Sequence, residues 1–177
     1  MKKKISLDLI KDLRKISQAS ISDCKQALEE SGGNTDKAIK LLRKRGLEIA
    51  RAKKERPARE GRIESYIHTG NKLGVLLEVN CETDFVARNP DFCRFTKDLA
   101  MQITATSPLY IKKEDVPKKA IDKLEDKEAF YKENCLMEQA FIKDPAITIK
   151  DLLADLVAKL SENVVIRRFT RYKLGEE

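Results

Sequence analysis

Apolar positions in the first 46 residues recur at helical spacing in three short blocks. Ser6 can cap the first, in which Leu9, Ile10, Leu13 and Ile16 share a face. Ser20 and Asp23 make an S-x-x-D start for the second, which carries Cys24, Ala27 and Leu28 and stops at Gly32-Gly33. Asn34 caps a third with Ala38, Ile39, Leu41 and Leu42, and Gly46 stands where a left-handed C-terminal cap belongs. Three amphipathic helices of this length predict a minimal bundle. Such a module is too small for a deep pocket and suits presentation of a surface to another macromolecule.

From Arg62 the period shortens to two. Ile63, Ser65 and Ile67 alternate with Glu64, Tyr66 and His68; Gly70-Asn71 then turns the chain into Leu73, Val75, Leu77, Val79 and Cys81, a β-hairpin pattern. Asn89-Pro90 opens a helix with Phe92, Phe95, Leu99 and Ile103 on one face, ending before Ser107-Pro108. Leu109 to Ile111 reads as a short extended segment, and Asp115 as the start of a helix through Ile121 and Leu124. Thr148 and Asp151 form a capping box before Ile149, Leu152, Leu153, Leu156, Val157 and Leu160, with Asn163 as the closing cap. Val164 to Tyr172 reads as a strand in which Val165 and Phe169 alternate against arginines. The predicted fold class is α+β: a three-helix module, then a small antiparallel three-stranded sheet packed against helices.

Composition narrows the function classes. The 177 residues are 41% apolar and 37% charged, enough for one ordinary domain or two small ones. No apolar run approaches the roughly 18 residues a membrane helix needs. Met1-Lys2-Lys3-Lys4 resembles a signal-peptide start, but Asp8, Lys11 and Asp12 interrupt what should be its apolar region, so a cytoplasmic protein without membrane contact is expected. Cys24, Cys81, Cys93 and Cys135 lack paired spacing, and His68 is the single histidine, so neither a metal site nor a cofactor is expected. Cys24 and Cys81 fall on apolar faces as small hydrophobes. No phosphate loop or nucleophile constellation is present in the sequence, and the reading is of a protein that is not an enzyme.

The formal net charge is +7, and its location matters more than its size. Residues 43–62 hold nine basic side chains against three acidic ones, a local +6. Pro57 and Gly61 mark a hinge there, so the chain divides into a helical module over 1–46, a basic helical linker over 47–61 and an α+β core over 62–177.

One stretch has two readings. Cys81-Glu82-Thr83-Asp84-Phe85-Val86-Ala87-Arg88-Asn89 joins the central strand to the Pro90 helix. Phe85 and Val86 could form a hydrophobic staple on that helix. Alternatively, a rigid strand end and helix start could hold an aromatic tip outward as an interface anchor.

The run LEVNCETDFVARN resembles the signature of the elongation factor Ts family, the guanine-nucleotide exchange factors for elongation factor Tu. SISDCKQALEESGGNTDKAIKLLRKRG is similar to that family's ubiquitin-associated-type domain, and LSENVVIRRF to its closing strand. The resemblance implies a role in protein biosynthesis with elongation factor Tu as partner, bound to GDP or nucleotide-free. It places the family's T-D-F-V element on Thr83, Asp84, Phe85 and Val86, whose Phe wedges into the GTP-binding domain and shifts the elements holding Mg²⁺ and phosphate. Long members carry a duplicated core and a helical hairpin; this chain has one core block and a short charged segment, Lys118 to Glu133, so a homodimer through the core is implied. A rival reading makes residues 43–62 a nucleic-acid stripe, but no aromatic residue lies there for base stacking, and direct nucleic-acid binding is not expected. Ubiquitin or peptide binding by the first module rests on fold analogy alone.

Overall fold

The computed structural model describes residues 5–17, 19–122 and 124–176. The Met1 to Lys4 run and Lys123 of the charged stretch lie outside the described residues. In chain order the elements are α1 (Leu7–Ser17), α2 (Ile21–Glu30), α3 (Thr35–Lys53), β1 (Glu60–Ile67), β2 (Leu73–Cys81), α4 (Asp84–Ala87), α5 (Pro90–Thr106), α6 (Lys118–Ile121), α7 (Lys127–Asn134), β3 (Ala140–Phe141), β4 (Asp144–Thr148), α8 (Ile149–Leu160) and β5 (Val164–Lys173).

The first three helices begin where side chains satisfy amides that a helix leaves unpaired. Leu9 N donates to Ser6 Oγ at 3.2 Å, Asp23 N to Ser20 Oγ at 3.1 Å, and Lys37 N to Asn34 Oδ1 at 2.9 Å. Ile10, Leu13, Cys24, Ala27, Leu28 and Ala38 are buried together between these helices. Ile16 is 64% exposed instead of buried. Successive three-residue steps drift about 60° around a helix, which carries Ile16 off the face that Ile10 defines.

Gly46 does not end α3, which runs on to Lys53. A Cβ at Gly46 would make only ordinary van der Waals contact with Ala154 O and Asp155 Oδ1 of α8, at 3.5 Å, so this glycine marks where α3 passes against α8. The third helix and the first half of the basic stretch are therefore one rod. Gly61 is no hinge either. It lies inside β1 at φ +143°, where any Cβ would collide with the Val79 carbonyl of the neighbouring strand.

The main sheet is antiparallel in the order β1-β2-β5. Gly70 and Asn71 turn the hairpin at φ 92° and 56°, and His68 sits one residue past β1, its Nδ1 3.0 Å from Tyr66 Oη. Val75, Leu77, Val79 and Cys81 face inward, and α5 lays Phe92, Phe95, Leu99 and Ile103 on them; all eight are buried. In β1 it is Glu64 that faces the helices, held by Thr96 Oγ1 at 3.1 Å and Arg62 Nη2 at 2.9 Å, while Ile63 and Ile67 face away. A bulge in β5 changes the expected alternation. Val79 pairs with Ile166 and Glu78 with Arg168, leaving Arg167 extra, so Val164 and Ile166 point inward before it and Phe169 after it.

The polar middle departs most from its pattern. In place of one helix from Asp115, a 3-10 turn at Lys113–Asp115 precedes α6, whose start is reset by Pro117. Helix α7, capped by Asp126, and the β3-β4 hairpin carry too short an apolar signal to be read from sequence. Tyr110, in the expected extended segment, makes an isolated parallel bridge to Cys135. The Thr148-Asp151 capping box opens α8 as expected, but Ser161 at φ 57° closes it, and Asn163 lies beyond.

Asp155 sits on the α8 side of the Gly46 contact. Burial pushes its carboxyl up from an ordinary 3.8 to about 6; Arg43 opposes the rise and Asp151 adds to it. A raised carboxyl pKa means the folded chain holds this proton more tightly than the unfolded chain does. The destabilising effect of the ionised form is thus absent below pH 3.8, builds up as pH rises towards 6, and is complete above that. Asp155→Asn should therefore be more stable than the parent at pH 8, by at most about 3 kcal/mol. Urea unfolding from pH 4 to pH 8 checks this; an advantage that does not fade on acidification would refute it.

Candidate functional site

Strand β2 ends on the buried Cys81, and α5 begins at Pro90, so the chain has only a few residues in which to turn from sheet to helix. It uses them to form α4, a single turn. Thr83 is extended at φ −128° and its Oγ1 accepts from Val86 N at 3.4 Å, the N-cap arrangement. Asp84 begins the turn and receives Arg88 Nη2 at 2.7 Å, an exposed pair of small energetic weight. Val86 and Ala87 pack back onto the main core. Phe85 does not join them and is 82% exposed. The four residues singled out in the sequence thus share one turn, and the staple reading fails for Phe85 because a helical turn sends successive side chains about 100° apart.

The turn is held from the far end of the chain. Glu162, between α8 and β5, accepts Glu82 N at 3.1 Å and Thr83 N at 3.0 Å, and receives Thr83 Oγ1 at 2.6 Å. Asn163 N donates in turn to Glu82 Oε1 at 2.6 Å. Asn163 is buried, and its Nδ2 donates to Arg56 O at 2.7 Å and Lys54 O at 3.2 Å, while Lys53 Nζ donates to Ser161 O. Residues 161–163 therefore join three segments: the C-terminal end of α3, the α4 turn and β5. Sequence reading missed Glu162 and assigned Asn163 to a helix cap, since their partners lie about 80 and 107 residues away.

Burial, then the negative charge of Glu162, pushes the Cys81 thiol up to about 11, so this cysteine beneath the turn is a poor nucleophile. Of the basic stretch, Arg45 pairs with Glu30 at 2.6 Å, Arg62 with Glu64 at 2.9 Å and Arg56 with Glu82 at 3.7 Å. Part of the local charge excess is thus used inside the chain. The most exposed large apolar side chain among the described residues stands on an anchored turn with charged neighbours, an arrangement that fits insertion into a partner.

A family model described as elongation factor TS matches residues 3–128 and 126–176. An elongation factor Ts from Caldanaerobacter subterraneus is 47% identical over 97% of this chain and 98% of its own length. One from Methylacidiphilum infernorum is 46% identical over 100% of this chain and 98% of its own length, and one from Carboxydothermus hydrogenoformans is 46% identical over 97% and 90%. The chain belongs to the elongation factor Ts family. Among the described residues no helix is long and apolar enough to cross a membrane.

The exposure contrast within α4 separates display from packing. Phe85→Ala should leave unfolding free energy within about 0.5 kcal/mol of the parent. Val86→Ala, which removes packing against the core, should cost about 1 kcal/mol. Urea unfolding of the two variants checks this, and a larger loss for Phe85→Ala would mean that its ring packs on the protein.

Proposed function

We propose that this member of the elongation factor Ts family is a translation elongation factor that exchanges guanine nucleotide on elongation factor Tu, with Phe85 as the side chain that enters the partner. The observation that carries the assignment is the 82% exposure of Phe85 on a turn whose backbone is otherwise fixed. An exposed aromatic ring keeps apolar surface in unfavourable contact with water until a partner's pocket covers it, so its natural use is as an anchor. Thr83 caps the turn, Asp84 opens it and Val86 roots it in the core. Displacing the elements that hold Mg²⁺ and phosphate leaves anionic oxygens uncompensated, and GDP leaves faster. No bond of the nucleotide is made or broken, so the protein acts as a binding partner and not as an enzyme. By reciprocity, a factor that weakens nucleotide binding is itself weakened by nucleotide, and GTP ejects it.

In this reading, residues 1–46 are a ubiquitin-associated-type docking module, 47–61 a basic joint that continues its last helix, and 62–177 the core that presents Phe85. The protein works in the cytoplasm without membrane or direct nucleic-acid contact. Intramolecular pairing of Arg45, Arg56 and Arg62 favours a structural role for part of the basic stretch over a phosphate-binding stripe. GDP dissociation from purified elongation factor Tu tests the assignment. Phe85→Ala should reduce the acceleration about thirtyfold, the effect of losing one interface anchor. Equal acceleration by the folded variant would sink it.

The core also supports homodimer formation. Cross-strand pairing puts Ile63, Ile67, Leu76 and Tyr172 on the sheet face opposite α5, at 63%, 62%, 51% and 69% exposure. A largely apolar sheet face whose charged pair, Glu78 with Arg168, is already satisfied within the chain suits packing against a second copy of itself. Sedimentation should give twice the chain mass at micromolar concentration for the parent and the chain mass for Leu76→Glu. A monomeric parent would remove the dimer.

A further inference from the structure

The ladder between β2 and β5 ends at Cys81 opposite Val164. Beyond that pair the two backbones diverge, and the antiparallel register brings Glu82 and Thr83 opposite Asn163 and Glu162. In place of further rungs, one carboxylate bridges the gap. Glu162 Oε2 takes the Glu82 and Thr83 amides, and Oε1 takes the Thr83 hydroxyl. That hydroxyl also accepts from Val86 N, so the carboxylate orients the cap of the turn that displays Phe85. We propose that Glu162 is a positioning residue for nucleotide exchange: it holds the α4 turn in the one conformation in which Phe85 points at the partner.

Three features carry this. Charge-assisted bonds to backbone amides are about twice as strong as neutral ones, so the carboxylate is the strongest single tie on the turn. No other described side chain accepts from the Glu82 or Thr83 amides. The same three-residue loop is tied through Asn163 and Ser161 to the end of α3, so the turn keeps a fixed relation to the helical module as well as to the sheet. A side chain presented from a floppy loop would lose ordering entropy on binding, and the tie removes much of that loss beforehand.

The inference rests on the reading of Phe85 as the entering side chain, and a double-mutant cycle separates the two. GDP release from elongation factor Tu is measured with the parent, Glu162→Ala, Glu162→Gln, Phe85→Ala and the Phe85→Ala/Glu162→Ala double variant. Glu162→Ala should lower the acceleration about tenfold, as expected for one charged hydrogen-bond acceptor. Glu162→Gln, which keeps one carbonyl oxygen as acceptor, should fall between it and the parent. In the Phe85→Ala background the Glu162→Ala change should have no further effect. Hydrogen exchange should show faster exchange of the Glu82 and Thr83 amides in Glu162→Ala, with the amides of β2 unchanged.

Full multiplication of the two losses, or accelerated exchange across β2, would overturn the positioning role and make Glu162 a general stabiliser. A Glu162→Ala protein as active as the parent, alongside an impaired Phe85→Ala, would overturn the positioning role alone. An unimpaired Phe85→Ala would overturn the reading of Phe85, and this inference with it.

Discussion

Strand β2 is hydrogen-bonded on both sides, and only one of its faces has helices to cover it. Much of the architecture follows from that arrangement. The inner face takes four buried side chains from β2 and four from α5, and this contact sets where α5 must start and how it runs. The chain leaves β2 at Cys81 and must be helical again at Pro90, so the connection is short and is fixed at both ends by buried residues. A small sheet with helices on one side leaves its other side open. Here that side carries Ile63, Ile67, Leu76 and Tyr172 beside a cross-strand ion pair, Glu78 with Arg168 at 2.7 Å.

The polar ties are placed where this packing cannot reach. Past the last rung between Cys81 and Val164, backbone amides of Glu82 and Thr83 would be left without a ladder partner. Glu162 satisfies them, and Asn163 does the same for two carbonyls at the end of α3. The joint between α3 and α8 is of a different kind, a packed helix pair in which Gly46 faces Ala154 and Asp155. Two contacts therefore set the helical module against the core: a close helix pair, and a polar turn just beyond it.

What could be read in the sequence was what neighbours in sequence decide. Ser20, Asn34, Asn89 and Thr148 cap the helices expected of them, and the Gly70-Asn71 turn and the buried faces of β2 and α5 follow their periods. Gly46 misled because glycine after a run of basic residues looks like a helix end, whereas α3 runs on through it to Lys53 with α8 packed alongside. The bulge at Arg167 was hidden for a similar reason: an extra residue in a strand has no local mark when both of its neighbours also suit a strand. For the candidate site, motif resemblance located the turn, but the exposure of Phe85 and the bonds of Glu162 depend on partners a long way off in the chain.

The placement of charge and apolar surface fits a protein that acts by contact. The local +6 of residues 43–62 lies along α3 and the start of β1, and part of it is offset by Glu30, Glu64 and Glu82 from outside that stretch. The Arg56–Glu82 pair and the Asn163 bonds fasten the end of the basic segment to the core, while Arg45–Glu30 ties it to α2. What remains outward would, in the proposed function, attract an acidic surface at long range, and salt would weaken that attraction. In the proposed function the uncharged, exposed ring of Phe85 acts only on contact, and salt would change that contact little. A displacing side chain must transmit force to its target without yielding, which requires that the turn behind it cost more to deform than the target does. The Glu162 carboxylate, the Thr83 cap and the packed Val86 together supply that stiffness at the one place where the sheet's own hydrogen bonds have ended.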